Sequence, residues 1–290
     1  MNDAGQGKIG VIGGSGLYAI DGLTELREVE VETPFGRPSD AYILGTLQGQ
    51  ELVFLPRHGR GHRVPPSALN FRANIYGLKA LGVEWIISVS AVGSMREEIR
   101  PGDLVLPDQF FDRTRTRIST FFDHDVVAHV AFADPVCPVV AQALWQAAEA
   151  TEATVHAGGT YLCIEGPQFS TRAESQIYRQ WGVDVIGMTN LPEARLAREA
   201  ELCYATLALA TDYDCWHDSA DDVDIEAILA ILQQNVERAQ EIIARTVPLL
   251  QGERTCVCRT ALQQALITAP DMIPASAKER LGLLINPYIT

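Results

Sequence analysis

Five runs of apolar, β-branched residues in this chain each close on a small polar or charged cluster. Lys8–Ile12 runs into Gly13-Gly14-Ser15-Gly16, and Glu51–Leu55 into Arg57-His58-Gly59. Trp85–Val89 leads to Ser90-Ala91-Val92-Gly93-Ser94, Val183–Ile186 to Gly187-Met188-Thr189-Asn190, and Leu202–Ala210 to Thr211-Asp212-Tyr213-Asp214. Between them the apolar period changes to that of a helix over Ala68–Leu81, over Val139–Ala150 after Pro138, and over Arg172–Gln180. Glu193–Ala200 is predicted as a further helix, with Pro192 just ahead of its first turn. The strongest helical pattern is Asp224–Val247. Ile225, Ile228, Leu229, Leu232, Val236, Ala239 and Ile243 share one face, Asp224 suits the N-cap, and Pro248 ends the run. Shorter runs at Glu28–Glu32, Ala41–Leu44 and Leu104–Leu106 read as hairpin or mixed-sheet strands.

This alternation predicts a single α/β domain, with a mixed, mostly parallel central β-sheet flanked by α-helices. We place that domain at 1–250, and read 251–290, where the pattern weakens, as a helical tail packed on its outside. No Pro-rich, Ser/Gly-rich or charge-block linker and no internal repeat interrupts it.

At 290 residues, 47% hydrophobic and 21% charged, the composition is that of a globular protein. The formal net charge of −14, with no basic run, argues against a nucleic-acid partner. An anionic ligand would have to be held by Gly-rich backbone and single arginines, against an unfavourable global field. No stretch approaches the ~18 apolar residues of a membrane span. Met1–Lys8 has no basic region followed by an apolar one, so a cytoplasmic protein is expected. Of the six cysteines only Cys256-Val257-Cys258 forms a local pair, and a zinc site would need a second pair or histidines at ligand spacing. Reduced thiols are therefore expected, with a strained Cys256–Cys258 disulfide as the alternative and no metal.

In an open α/β sheet ligands bind outside the carboxyl ends of the strands, where all five clusters fall. Gly13–Gly16 lets backbone N–H groups approach an anion, and Ser15 adds a hydroxyl. The string from Gly14 to Ala19 also fits the G-x-G-x-x-A dinucleotide fingerprint, but Asp21-Gly22 breaks the long helix such a site needs. Arg57 can hold phosphate bidentately and His58 can add a donor, although a strand-end Arg-His is more often solvated. Ser90 and Ser94 offer hydroxyls, or mark an ordinary strand end. Phe169, after Gly166-Pro167, either stacks on a flat base or anchors its loop. Asp212 and Asp214 are two apart at the end of an apolar strand. In a partly desolvated pocket one of them has its pKa raised and can serve as an acid.

Taken together, these residues resemble the methylthioadenosine phosphorylases within the trimeric purine nucleoside phosphorylase family. The resemblance runs from Lys8 to about Pro248 through Ile12–Leu17, Thr33–Asp40, Arg57–Gly59, Arg96–Asp103, Ile164–Pro167 with Phe169-Ser170, Arg172–Ser175 and Ala210–Trp216. It implies the nucleoside phosphorylase fold, and phosphate contacts at Ser15, Arg57, His58, Ser90, Ala91 and Thr189. It implies a ribose contact at Met188, purine contacts at Phe169, Ser170, Asp212 and Asp214, and catalysis by Asp212. A 5′-methylthio pocket is implied at Ile225, with His129 reaching across a trimer interface. The departures are mild: Ser15 and Ser90 stand where Thr is frequent, and Val92 where Cys is common. The tail with Cys256-Val257-Cys258 resembles archaeal relatives more than animal ones.

The implied activity is reversible phosphorolysis of S-methyl-5′-thioadenosine to adenine and 5-methylthio-α-D-ribose 1-phosphate, in methionine and purine salvage. Phosphate is then a co-substrate and no cofactor is needed. The implied assembly is a homotrimer, with pairing of trimers into hexamers left open. A 6-oxopurine nucleoside or methylthioinosine phosphorylase is the alternative on the same fold. A dinucleotide-dependent oxidoreductase built on Gly14–Ala19 is the alternative from another class, and a non-catalytic nucleotide-binding module a third.

Overall fold

Val83–Ser94 is the strand around which the molecule is arranged. It pairs in parallel with Lys8–Gly13 on one side and Cys203–Asp212 on the other, and its far end pairs antiparallel with Val185–Gly187. The computed structural model describes residues 7–217 and 225–289, without the side chains of Ser15 and 225–229. In chain order the elements are β1 (Lys8–Gly13), β2 (Thr24–Val29), β3 (Tyr42–Leu47), β4 (Gln50–Pro56), α1 (Phe71–Ala80), β5 (Val83–Ser94), β6 (Leu104–Leu106) and β7 (Gln109–Arg113). There follow α2 (Pro138–Glu149), β8 (Val155–Ala157), β9 (Thr160–Ile164), α3 (Arg172–Gln180), β10 (Val185–Gly187), α4 (Asn190–Glu199), β11 (Cys203–Asp212), α5 (Ile225–Thr246) and α6 (Ala275–Ile285).

The sheet runs β2-β3-β4-β1-β5-β10-β9-β7, with β11 on the other edge of β5 and continuing through β6 to β8. β2, β3 and β4 form an antiparallel meander; β1 with β4, β9 with β10 and β7 with β9 are parallel. β1 follows β5 only as far as Ser88, and β10 joins only at Gly93. On that edge no strand pair covers 89–92. The sheet therefore opens at the carboxyl end of β5, the kind of crevice where α/β sheets bind ligands.

Alternation along the strands fixes which core each residue enters. Trp85, Ile87, Val89, Cys203, Ala205, Leu207 and Leu209 pack with α2 and α5 on one face. Ile86, Tyr204, Ala208 and Ala210 pack with α1 and α4 on the other. Each large side chain so buried contributes roughly 1.5–3 kcal/mol, and together they hold the strand ends in place.

The helices lie near their expected bounds, since cap chemistry sets their ends. The Asn70 side chain accepts from the Ala73 N–H at the start of α1, and Thr171 with Glu174 forms a reciprocal capping box on α3. The proposed cap Asp224 lies outside the described residues. Past Thr246, Pro248 sits in a short 3-10 turn, as a residue without an N–H cannot extend α5.

Two expectations change. The 251–289 segment is not merely laid on the outside: Leu262, Ala265, Ile273, Leu281, Leu284 and Ile285 are buried in the same core as α1 and α4. Nor is Cys256-Val257-Cys258 an isolated pair. The sulfurs of Cys137 and Cys203, distant in sequence, come within 4.8 Å of both of its sulfurs. No disulfide joins any of the six cysteines in this structure.

Candidate active site

The opening at the end of β5 is lined by hydroxyls. Ser90 Oγ lies 3.1 Å from Thr189 Oγ1, which follows β10, and 3.1 Å from Tyr161 Oη on β9. Burial pushes the Tyr161 phenol up to about 12, so it stays an O–H. Gly187 is required beside it, because any Cβ there would overlap the Tyr161 ring. Ala91 is exposed in β5 between buried Ser90 and Val92. The Gly14–Tyr18 backbone makes a 3-10 turn after β1, held by Leu17 N–H to Gly14 O. The side chain of Ser15 lies outside the described residues.

Arg57 departs from the sequence reading. It is 2% exposed, and its guanidinium meets the carboxylate of Glu193 at 2.8 and 3.0 Å. Nη2 also donates to Ser88 Oγ at 2.6 Å and Nη1 to the Val89 carbonyl at 2.9 Å. Burial works against its charge, but Glu193 more than offsets this and raises the Arg57 pKa. Five N–H donors set against these acceptors leave one Nη1 hydrogen over, so Arg57 can offer an anion one bond rather than a bidentate grip. Glu193 also accepts from Ser88 Oγ and from the Tyr204 hydroxyl, which makes a closed buried network.

His58 also changes role. Burial, and then the nearby Arg57 charge, push its pKa down to about 4. Its Nδ1 lies 2.8 Å from the Val64 carbonyl, which can only accept, so Nδ1 carries the proton. Neutral His58 therefore presents Nε2 as an acceptor, not the donor expected. Its ring stacks on His62, with centroids 4.3 Å apart.

The carboxylates flank the same end of β5, three residues beyond Ser90. A Cβ on Gly93 would sit 3.1 Å from Asp212 Oδ1 and 3.3 Å from Asp214 Cβ. Asp212 Oδ2 accepts from the Thr211 hydroxyl at 2.7 Å and Oδ1 from the Asp214 N–H at 2.8 Å. Asp214 accepts from the buried Ser175 hydroxyl of α3. Burial raises the Asp214 pKa; the Ser175 bond opposes this and the Asp212 charge adds to it. Of the two carboxyls, Asp214 is the one whose pKa burial raises.

Met188 packs against Gly166, where a Cβ would crowd its sulfur. Arg117 fixes this arrangement. Its buried guanidinium donates to the carbonyls of Met188 at 2.7 Å, Leu191 at 2.6 Å and Glu165 at 2.7 Å. On the loop that follows, Phe169 is 81% exposed, so it does not anchor its loop in the core. Ser170 Oγ is buried with no hydrogen-bond partner among the described residues. His129 is exposed, and its backbone N–H donates to the Ala265 carbonyl of the tail. The side chain of Ile225 lies outside the described residues. Sequence reasoning missed Glu193, Ser88, Tyr161, Ser175 and Arg117. Only Glu193 left a trace, an acid in the first turn after Pro192.

A family profile described as "Phosphorylase superfamily" matches residues 8–248. A relative from Geobacter sulfurreducens, S-methyl-5′-thioadenosine phosphorylase, is 62% identical, across 97% of this chain and 99% of its own length. The chain belongs to the methylthioadenosine phosphorylase family. A second member, from Koribacter versatilis, is 57% identical over 98% of this chain and 97% of that one. The crystal structure of a methylthioadenosine phosphorylase from an Antarctic soil metagenomic library superposes with a TM-score of 0.92, at 52% identity, covering 96% of this chain and 99% of that one. A variant of the adenosine/methylthioadenosine phosphorylase of Schistosoma mansoni, solved with adenine, superposes with a TM-score of 0.79, at 39% identity, covering 83% and 91%. The matched relatives cover nearly the whole chain, including most of the tail beyond residue 248. No described helix is long and apolar enough to cross a membrane.

Proposed function

We propose that this chain catalyses phosphorolysis of S-methyl-5′-thioadenosine, giving adenine and 5-methylthio-α-D-ribose 1-phosphate. The observation that supports the reading is that the hydroxyl cluster and the carboxyl pair meet at one strand end. Ser90 sits among the hydroxyls near Arg57, and Gly93, three residues on, packs against Asp212 and Asp214.

In this reading phosphate is held by Ser90, Thr189, the Ala91 and Gly-rich backbone, Ser15 and the remaining Arg57 donor. His58 Nε2 accepts a hydrogen bond from the O–H of monohydrogen phosphate. Met188 packs on the ribose, and Phe169 and Ser170 meet the purine. The carboxyl pair takes the base, with Asp212 facing N7 as the acid and Asp214 beside it, its pKa raised by burial. Protonating the leaving purine lets the glycosidic bond break, and phosphate attacks C1′ as oxocarbenium character develops. The phosphate forms the new C1′–O bond, while the bond to the base carries its electron pair to the protonated purine. An ionised carboxylate accepts from a 6-amino group, whereas a 6-oxopurine needs a donor there, so the pair favours adenine over hypoxanthine. Ile225 and a neighbouring subunit's surface around His129 complete the 5′ side in a homotrimer.

Incubating the protein with methylthioadenosine and phosphate, and following the reaction by 31P NMR, tests this directly. A new phosphomonoester resonance growing in step with free adenine is expected. Adenine released while inorganic phosphate stays unconsumed rules out phosphorolysis.

A further inference from the structure

Cys137, Cys203, Cys256 and Cys258 lie far from the site just described and have no part in its chemistry. Their four sulfurs all fall within 4.8 Å of one another, with Cys203 and Cys256 3.2 Å apart. A tetrahedron of thiolates around zinc, with Zn–S near 2.3 Å, needs sulfurs roughly 3.8 Å apart. The four-sulfur cluster is already of that size. Cys137, Cys203 and Cys258 are buried and Cys256 half-buried, so a fifth ligand or substrate has little access, as in closed structural sites. We propose that these four cysteines bind one Zn2+ as a structural site. Four thiols supply four thiolates, and four protons go to solvent.

The positions of the ligands argue for a staple. Cys137 immediately precedes the first turn of α2, where the helix end favours a thiolate. Cys203 opens β11, whose other end carries Asp212. Cys256 and Cys258 lie in the stretch between α5 and α6, where the backbone makes only short 3-10 turns. Little regular hydrogen bonding holds that stretch, so a metal joining it to α2 and β11 fixes what the backbone does not. A tetrahedral all-sulfur set suits zinc and excludes hard cations such as Mg2+ and Ca2+. The rival fate of the same thiols is oxidation to two disulfides.

The test uses the full chain, purified under thiol reductant without chelator. Metal analysis is expected to give about one zinc per chain. Titration of the wild-type thiols with an organomercurial releases the metal in step with the buried thiols, independently of any variant. Co2+ added to the stripped protein produces thiolate-to-cobalt charge transfer in the near ultraviolet, with the strong visible bands of a tetrahedral site. In Cys256→Ser/Cys258→Ser these bands disappear. Reduced, folded wild-type protein that holds no zinc and shows no cobalt charge-transfer band overturns the proposal. So does stoichiometric metal in the double variant, or an intact mass that reveals two disulfides in place of metal.

Discussion

Arg57 and Glu193 show how a residue that looks like a ligand is also a structural charge. Both are almost fully buried, and each is the other's counter-ion. Removing one partner of such a pair typically costs about 3–5 kcal/mol, because the other is left buried and uncompensated. Arg57→Ala is therefore expected to lower the unfolding free energy by that order, as well as weakening phosphate. Arg57→Ala/Glu193→Gln should recover part of the stability and none of the phosphate affinity, read by urea unfolding and the phosphate KM. A double variant no more stable than the single would show that Glu193 is not the charge left stranded. The carboxyl pair gives a second expectation at this scale. Asp212→Asn should lower kcat/KM for methylthioadenosine by about 100-fold or more, as for loss of a general acid. Asp214→Asn should lower it too, and should shift the alkaline limb of the pH profile, because the proton Asp214 retains at raised pKa is gone. An unchanged alkaline limb in Asp214→Asn would take that proton away from Asp214.

At the scale of elements, α4 couples the site to the rest of the fold. Its first turn carries Glu193, and its last residue, Glu199, accepts from the Phe121 N–H and the Thr120 hydroxyl, both at 2.7 Å. Burial outweighs those bonds and raises the Glu199 pKa from 4.5 to about 7. A carboxyl with a raised folded-state pKa binds its proton more tightly folded than unfolded. Its stabilisation is thus complete below about pH 4.5 and is lost as pH rises through about 7. The difference is on the order of 3 kcal/mol. Glu199→Gln should flatten the stability decline between pH 5 and pH 8, measured from urea midpoints; an identical slope in the variant would place the titration elsewhere. The periods of α1, α2, α3 and α5 were legible because each rests on local spacing and caps. The meaning of Arg57 was not, since its partner lies 136 residues away and a lone acid on a helix reads as solvated. Asp212 and Asp214 were legible because their proximity is covalent. For Cys137 and Cys203 nothing local announces the second half of the cluster, which only the closure of β11 against α2 brings together.

Over the whole molecule, the net charge of −14 opposes phosphate, so the anion must be captured by local donors at the β5 opening rather than drawn in by a broad positive field. Assembly belongs to the same scale. In the proposed homotrimer His129→Ala should raise the methylthioadenosine KM while leaving the mass in light scattering at three chains of 31.7 kDa. A monomeric mass, or an unchanged KM in the trimer, would remove His129 from the neighbour's site. In the proposed enzyme one strand end joins phosphate chemistry to recognition of a 6-aminopurine. The most direct test measures free-base release from methylthioadenosine, adenosine, inosine and methylthioinosine, each with and without phosphate. Phosphate-dependent adenine release, with the highest kcat/KM for methylthioadenosine and the lowest values for both 6-oxopurine substrates, is expected. Release that proceeds equally without phosphate, or that favours inosine or methylthioinosine, would contradict it.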